Sequence, residues 1–311
     1  MCGGQPNPTF FIKGGARTLV LRKQPAGPVL ASAPQVDREH RVLSALADGG
    51  EIPVPKNLLL CQDRSVIGTD FYLMEELQGR VFADYQAAGV SPAHRSAMYS
   101  DMARVMGRLH RIDWRGAGLG DFGRVGGFFR RQIARWTGRW QRSKTRDKAD
   151  AEELIRRLPG LVPDDDETVL CHGDFRMGNL MFHPNEPHVV GVLDWERSTL
   201  GHPLSDVAFN CIAWHTSAQE YGGILGLDWE ALGIPNEAQY LRSYCAAAGR
   251  QSGPTAFRMA FAMFRFAVIF DGIAARAAAG NAFADNAAAV SRLSAAFAAR
   301  AMARLREPVE A

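Results

Sequence analysis

Asp174, Asn179 and Asp194 fall within one short stretch, LCHGDFRMGNLMFHPNEPHVVGVLDWE from Leu170 to Glu196, in an order suited to phosphoryl transfer from Mg-ATP. That reaction asks a protein for little covalent chemistry. It needs a base that orients and deprotonates an acceptor hydroxyl, and ligands for the Mg ion that neutralises the nucleotide phosphates. HGD opens a loop, Asn179 follows Asp174 by five residues, and the apolar run VVGVL reads as a buried strand with Asp194 at its end. Asp174 is therefore the candidate base. Asn179 and Asp194 are the candidate Mg2+ ligands, because a hard cation takes the oxygens that Asn and Asp supply. Each residue alone is equally an ordinary turn former or strand-end cap. Their joint order and spacing argue for the chemistry.

Two lobes are expected to position these residues. From Thr9 to Glu75 the strand-like runs TFFI, TLVLR, KNLLLC and FYLMEE are separated by turn signals such as Gly14-Gly15, with one helical stretch near Val36 to Ala47. This predicts a small sheet lobe over residues 1–76. Beyond Gly79 the periodicity turns helical, interrupted by the β-rich stretch, and the last third is Ala-rich helix. A larger, mainly helical lobe over residues 77–311 would carry the loop and the acceptor site, giving an α+β chain.

The stretch resembles the HGDxxxxN and (I/L)DWE motifs of the aminoglycoside phosphotransferase and choline kinase-like family. The likeness continues through GGQPNPTF, LVLRKQPAG, DREHRVL, IPVPK, GTDFYLMEELQGR, GDFGR, RRQIARW, GHPLSDVA and FRFAVIFDGIAARAAAGNA, and so covers nearly the whole chain. It is strongest to bacterial relatives of the kinase-like domain fused to some acyl-CoA dehydrogenases. The resemblance implies a protein-kinase-like two-lobed fold, a small antiparallel sheet lobe over a helical one, with ATP and Mg2+ bound between them.

The resemblance also assigns roles. TLVLRKQ offers Arg22 and Lys23 as the cation for the phosphates, and strand alternation lets only one point into the cleft. The family pattern selects Arg22, with Glu39 of DREHRVL holding it. Gly4 and Asn7 belong to the loop that covers the phosphates. Met74 walls the adenine pocket, while Glu75 to Leu77 present backbone groups to the adenine edge. His172 braces the catalytic loop, and Asp206 hydrogen-bonds its backbone. Glu196 is open between metal or substrate contact and a structural salt bridge. Two departures from the pattern stand out. Pro6 occupies a position where relatives often carry Ser and removes a possible phosphate donor. Met1 lies almost at this loop, where relatives have a helix and a first strand, so the expectation is a shortened amino terminus and a sheet without one edge strand.

Composition sets the outer bounds. The 311 residues are 47% hydrophobic and 22% charged, ordinary for a globular enzyme, and a net charge of +3 without a basic tail gives no reason to expect nucleic acid. The five cysteines show no CxxC pairing, which suits free thiols and a cytoplasmic setting. The apolar segment from Met259 to Phe270 is broken by Arg265 and is shorter than the roughly 20 residues that span a bilayer. No membrane partner is expected. Cys171, His172, His183, His188 and His202 match no zinc-ligand spacing.

The acceptor must be met by the helical lobe. Between Asp121 and Arg146 eight Arg or Lys residues face one acid. Phe129, Ile133, Trp136 and Trp140 share one helical face, and Arg131, Arg135, Arg139 and Arg142 the opposite one. A solvated basic face accounts for this pattern. The functional alternative is that Arg131 and Arg135 meet an anionic substrate, since Arg forks suit phosphate and carboxylate. Polycationic aminoglycosides would be repelled, which favours an acyl-CoA or another small anionic hydroxylated metabolite, and the resemblance to the acyl-CoA dehydrogenase-linked branch implies a hydroxyacyl-CoA. The alternatives are an aminoglycoside- or choline-type kinase and a catalytically weak nucleotide-binding partner module. A homodimer is left open. There is no GxSxG elbow or P-loop, and no APE-type segment follows Asp194.

Overall fold

Period-two apolar patterning in the first 75 positions folds as strands around one helix. The computed structural model describes residues 7–15, 17–25, 36–144, 148–278 and 287–306. β1 (Thr9–Gly14) turns at Gly15, whose φ of 61° favours glycine, into β2 (Arg17–Lys23). After α1 (Val36–Gly49) come β3 (Asn57–Cys61) and β4 (Phe71–Glu75), and the antiparallel sheet has the order β1-β2-β4-β3. Its register sets Thr9 opposite Arg22, Phe11 opposite Val20, Arg22 opposite Tyr72 and Val20 opposite Met74. Side-chain alternation therefore puts all six on one face. Lys23 falls on the other, where its ammonium sits 5.8 Å from the centre of the Phe10 ring.

The larger lobe begins with β5 (Arg80–Val81) and α2 (Pro92–Leu109), then α3 (Phe128–Ser143) and α4 (Ala149–Arg157). Five short strands and helices build the site: β6 (Val169–Cys171), β7 (Leu180–Phe182), β8 (Val189–Val192), β9 (Thr199–Gly201) and α5 (Pro203–Cys211). The short α6 (Ala218–Tyr221) and α7 (Trp229–Leu232) lead to α8 (Glu237–Ala248), α9 (Ala256–Ala278) and α10 (Ala287–Arg304). β5, β7 and β8 form one small sheet, and β6 and β9 another.

Apolar residues on nearly every side of α9 make it the axis of this lobe. Phe261, Met263, Phe264, Phe266 and Val268 are all buried, and the helix packs against α3, α5 and α10. Phe266 stacks on Phe209 of α5 and on Phe297 of α10. Such a core fixes α5, and through it the strands that carry the Leu170–Glu196 stretch. Among the described residues, no helix is long and apolar enough to cross a membrane.

α3 divides as its sequence pattern requires. Phe129, Ile133, Trp136 and Trp140 are buried, while Arg135 is exposed. Arg265 of α9 lies 5.5 Å from the Trp136 ring centre and 5.2 Å from that of Phe209, so its guanidinium is held between aromatic faces.

Candidate active site

A cavity of about 380 Å³ opens between the sheet and the strands of the larger lobe. Thr9, Phe11, Val20, Arg22, Tyr72 and Met74 line it from the sheet, Glu75 to Gly79 from the connection, and Met181 with Val192 to Trp195 from below. Met74, Glu75 and Leu77, which the sequence assigns to an adenine pocket, are all among this lining. Glu75 is fixed to the chain before β3: its carboxylate accepts a hydrogen bond from the Lys56 amide (2.9 Å), and its own amide donates to the Lys56 carbonyl (3.0 Å). Gly191 lets this wall close: a Cβ there would sit 2.5 Å from Leu77 Cδ1.

At the inner end of the cavity Arg22 joins the lobes. Its Nε lies 2.8 Å from Glu39 Oε2, and its Nη2 lies 2.5 Å from Asp194 Oδ1 and 3.5 Å from Glu196 Oε2. Burial opposes the Arg22 charge, but Glu39 and Asp194 outweigh it and its pKa is raised. Glu39 is 2% exposed, and burial pushes its carboxyl up to about 7 against the pull of Arg22 and the hydrogen bonds from Asn7 and Tyr72. Glu196 is also pushed upward, first by burial and then by Asp194, and its Oε1 lies 3.8 Å from Arg197 Nε. Glu196 is therefore engaged with two arginines.

Side chains clamp the backbone of the Leu170–Glu196 stretch. Asp206 of α5 accepts hydrogen bonds from the His172 and Gly173 amides (2.6 and 2.9 Å), and His172 Nδ1 accepts from the Asp174 amide (3.2 Å). Because Nδ1 accepts, His172 Nε2 carries the proton and donates to the Leu193 carbonyl (2.9 Å). Asn179 Nδ2 donates to the Asp174 carbonyl (2.9 Å), and the Leu193 amide donates to the Asn179 carbonyl (2.8 Å). Asp174, Asn179 and Asp194 are thereby tied into one unit. Gly173 has φ 80°, and a Cβ there would lie 2.5 Å from the Arg197 carbonyl oxygen, so only glycine fits. Asp194 itself adopts φ 64°, a conformation that costs a non-glycine residue about 1–3 kcal/mol and is held by these contacts.

This donor set fits a hard cation. The Asn179 amide nitrogen is engaged, which leaves its side-chain oxygen for a metal, and Asp194 supplies a carboxylate that Arg22 now neutralises.

Several sequence-based assignments lie elsewhere. Gly4 and Pro6 fall outside the described residues. Asn7 does not line the cavity; its Nδ2 donates to Glu39 Oε1 (2.5 Å). Arg131 turns back onto the carbonyls of Arg124 and Gly126, capping the turn before α3, and neither it nor Arg135 lines the cavity.

Other residues went unnoticed in the sequence. Arg176 Nε lies 3.6 Å from Asp174 Oδ1, making it a cation beside the candidate base; its place two residues after Asp174 was the available signal. His110, at the end of α2, faces Asp206 Oδ2 at 3.6 Å, while its Nδ1 contacts the Tyr244 hydroxyl at 2.9 Å. Burial opposes the Asp206 charge, yet His110 and the loop amides hold its carboxyl below the usual range. Cys171 lies close to His110 and Asp206, within metal-ligand reach, but burial pushes its thiol well up and the Asp206 oxygens already serve backbone amides. The cluster reads as a brace. Nothing in the sequence pairs Tyr244 with His110, because the two are 134 positions apart.

With this geometry, relatives can be compared. Residues 3–259 match the phosphotransferase enzyme family. The chain belongs to that family. It is 42% identical over 282 residues to acyl-CoA dehydrogenase family member 10 of Mus musculus, covering 90% of this chain and 26% of that protein. It is 40% identical over 300 residues to the probable acyl-CoA dehydrogenase IBR3 of Arabidopsis thaliana, covering 90% of this chain and 36% of that protein. The chain thus spans about a quarter to a third of the curated relatives' length. A Ralstonia eutropha structure named for the aminoglycoside phosphotransferases shares 43% identity with a TM-score of 0.89, over 97% of this chain and 90% of that one. Choline kinase LicA of Streptococcus pneumoniae has a TM-score of 0.60 at 15% identity, over 96% and 92%, and shows the shared kinase-like fold.

Proposed function

We propose that this family member transfers a phosphoryl group from Mg-ATP to a hydroxyl of a small anionic metabolite, with hydroxyacyl-CoAs as the preferred class. The observation that carries this reading is the Arg22–Asp194 pair at the inner end of an apolar cleft, with Asp174 and Asn179 hydrogen-bonded into the same unit. Adenine would lie against Met74 and Leu77, and Arg22, held by Glu39, would steady the α and β phosphates. Asn179 and Asp194 would hold Mg2+, which when bound supplies charge neutralisation for the phosphates. Asp174 orients the acceptor hydroxyl and takes its proton.

The charge near Asp174 supports an anionic acceptor. Arg176 stands beside the candidate base, and Arg197 follows Glu196 at the same edge. The acyl-CoA in the names of the long relatives agrees in charge with such an acceptor. A structure of the phosphotransferase APH(4)-Ia holds AMP-PNP and hygromycin B, which is consistent with nucleotide use on this fold. The test is ADP release with Mg-ATP against hydroxyacyl-CoAs, choline, homoserine and aminoglycosides. Turnover with the hydroxyacyl-CoAs supports the reading; turnover with aminoglycosides alone overturns the acceptor class. Nucleotide binding without turnover on any acceptor would make the chain a binding module.

A further inference from the structure

We infer that Asn7 and Tyr72 are positioning residues that hold Glu39 in place for Arg22, and that Asn7 serves the nucleotide site through this carboxylate rather than by touching the phosphates. The inference rests on the nucleotide reading above. Glu39 is the one acid on the inner face of α1, whose other buried positions are Val36, Val42, Leu43 and Leu46. A carboxylate in such surroundings needs donors on both oxygens. It has them: Asn7 Nδ2 donates to Oε1 at 2.5 Å and the Tyr72 hydroxyl to Oε2 at 3.0 Å, while Arg22 Nε lies 2.8 Å from Oε2 as an ion-pair partner.

The three partners come from separate parts of the small lobe. Asn7 precedes β1, Arg22 sits on β2 and Tyr72 on β4, so the carboxylate fastens α1 to three chain segments. Asn7 is 4% exposed and Tyr72 1%. Asn7 lies outside the cavity lining, and Tyr72, though it forms part of the cavity wall, turns its hydroxyl onto Glu39. Without them, Glu39 would keep only its Arg22 contact and could swing about that single partner. Arg22 would then be placed chiefly by Asp194 and Glu196, on the metal side of the site.

A double-mutant cycle on the full chain separates action through Glu39 from direct contact. The probe is Mg-AMP-PNP, measured by calorimetry, with adenosine as the control ligand and thermal melting to confirm folding. Asn7→Ala is expected to weaken Mg-AMP-PNP binding roughly tenfold, as loss of a hydrogen bond to a charged group implies. Adenosine binding should stay the same, because the adenine wall is untouched. In a Glu39→Ala background, Asn7→Ala should change Mg-AMP-PNP affinity less than about twofold. Tyr72→Phe should behave in the same way in both backgrounds, and it keeps the ring in the core if Asn7→Ala proves poorly folded. An equal loss on Asn7→Ala with and without Glu39 overturns the inference while leaving the nucleotide reading intact. No binding of Mg-AMP-PNP by the unsubstituted chain overturns that reading and this inference with it.

Discussion

Replacing Arg22 with Met should destabilise the fold in a way that depends on pH. Arg22 is 12% exposed and neutralises Glu39, Asp194 and Glu196, which are 2%, 32% and 13% exposed. Removing one partner of a buried ion pair costs about 3–5 kcal/mol. Solvent at Asp194 and proton uptake by Glu39 reduce this to roughly 2–3 kcal/mol at pH 8. The pH term follows from Glu39, whose folded pKa of about 7 is already raised by burial. A raised folded pKa means that the group's stabilising contribution is present at low pH and lost as pH rises through that value. In the variant Glu39 stays protonated to higher pH, whereas in the unsubstituted protein it ionises near 7. The two native states then differ by one proton at pH 8 and by none at pH 6. The variant's loss should be greater at pH 8 by about 1.4 kcal/mol. Urea unfolding at the two pH values measures both losses. Equal losses, or a greater loss at pH 6, would refute the reasoning.

Other substitutions address separate parts of the site. Asp174→Asn should lower phosphoryl transfer by about 10²–10⁴ with melting temperature and Mg-AMP-PNP affinity nearly unchanged, read by steady-state kinetics and calorimetry. Gly173→Ala forces a Cβ to 2.5 Å from the Arg197 carbonyl at φ 80°, and should cost about 1–3 kcal/mol in denaturant unfolding. Gly191→Val should push Leu77 into the cavity and weaken adenosine as well as Mg-AMP-PNP binding, seen by calorimetry. Tyr244→Phe should cost about 1 kcal/mol by releasing its contact with His110, measured by thermal melting.

Local patterns in the chain were enough to place the strands around Arg22 and Met74, the helix with Glu39, and the loop with Asp174 and Asn179. Alternation separated Arg22 from Lys23 because the two faces of a strand are set by a period of two. Side-chain destination was harder to read. Asn7 sits in a sequence that resembles a phosphate-covering loop, yet its amide donates to Glu39, 32 positions away. Arg131 lies on a basic helical face, but the turn before α3 leaves carbonyls that its guanidinium satisfies. The brace of Tyr244, His110 and Asp206 joins α8, α2 and α5, and long-range packing of that kind leaves no local period in the sequence.

The central claim is that Asp174, Asn179 and Asp194 together transfer phosphate to a hydroxyl. Its most direct test is to incubate the chain with Mg-ATP and a 3-hydroxyacyl-CoA and follow ADP release alongside the mass of the acceptor. The expected result is a gain of one phosphate on the acyl-CoA, matched by ADP and abolished by Asp174→Asn. Phosphorylated acceptor and ADP that still form at the unsubstituted rate in Asp174→Asn would contradict it, whereas an acyl-CoA that gains no phosphate would overturn the acceptor class.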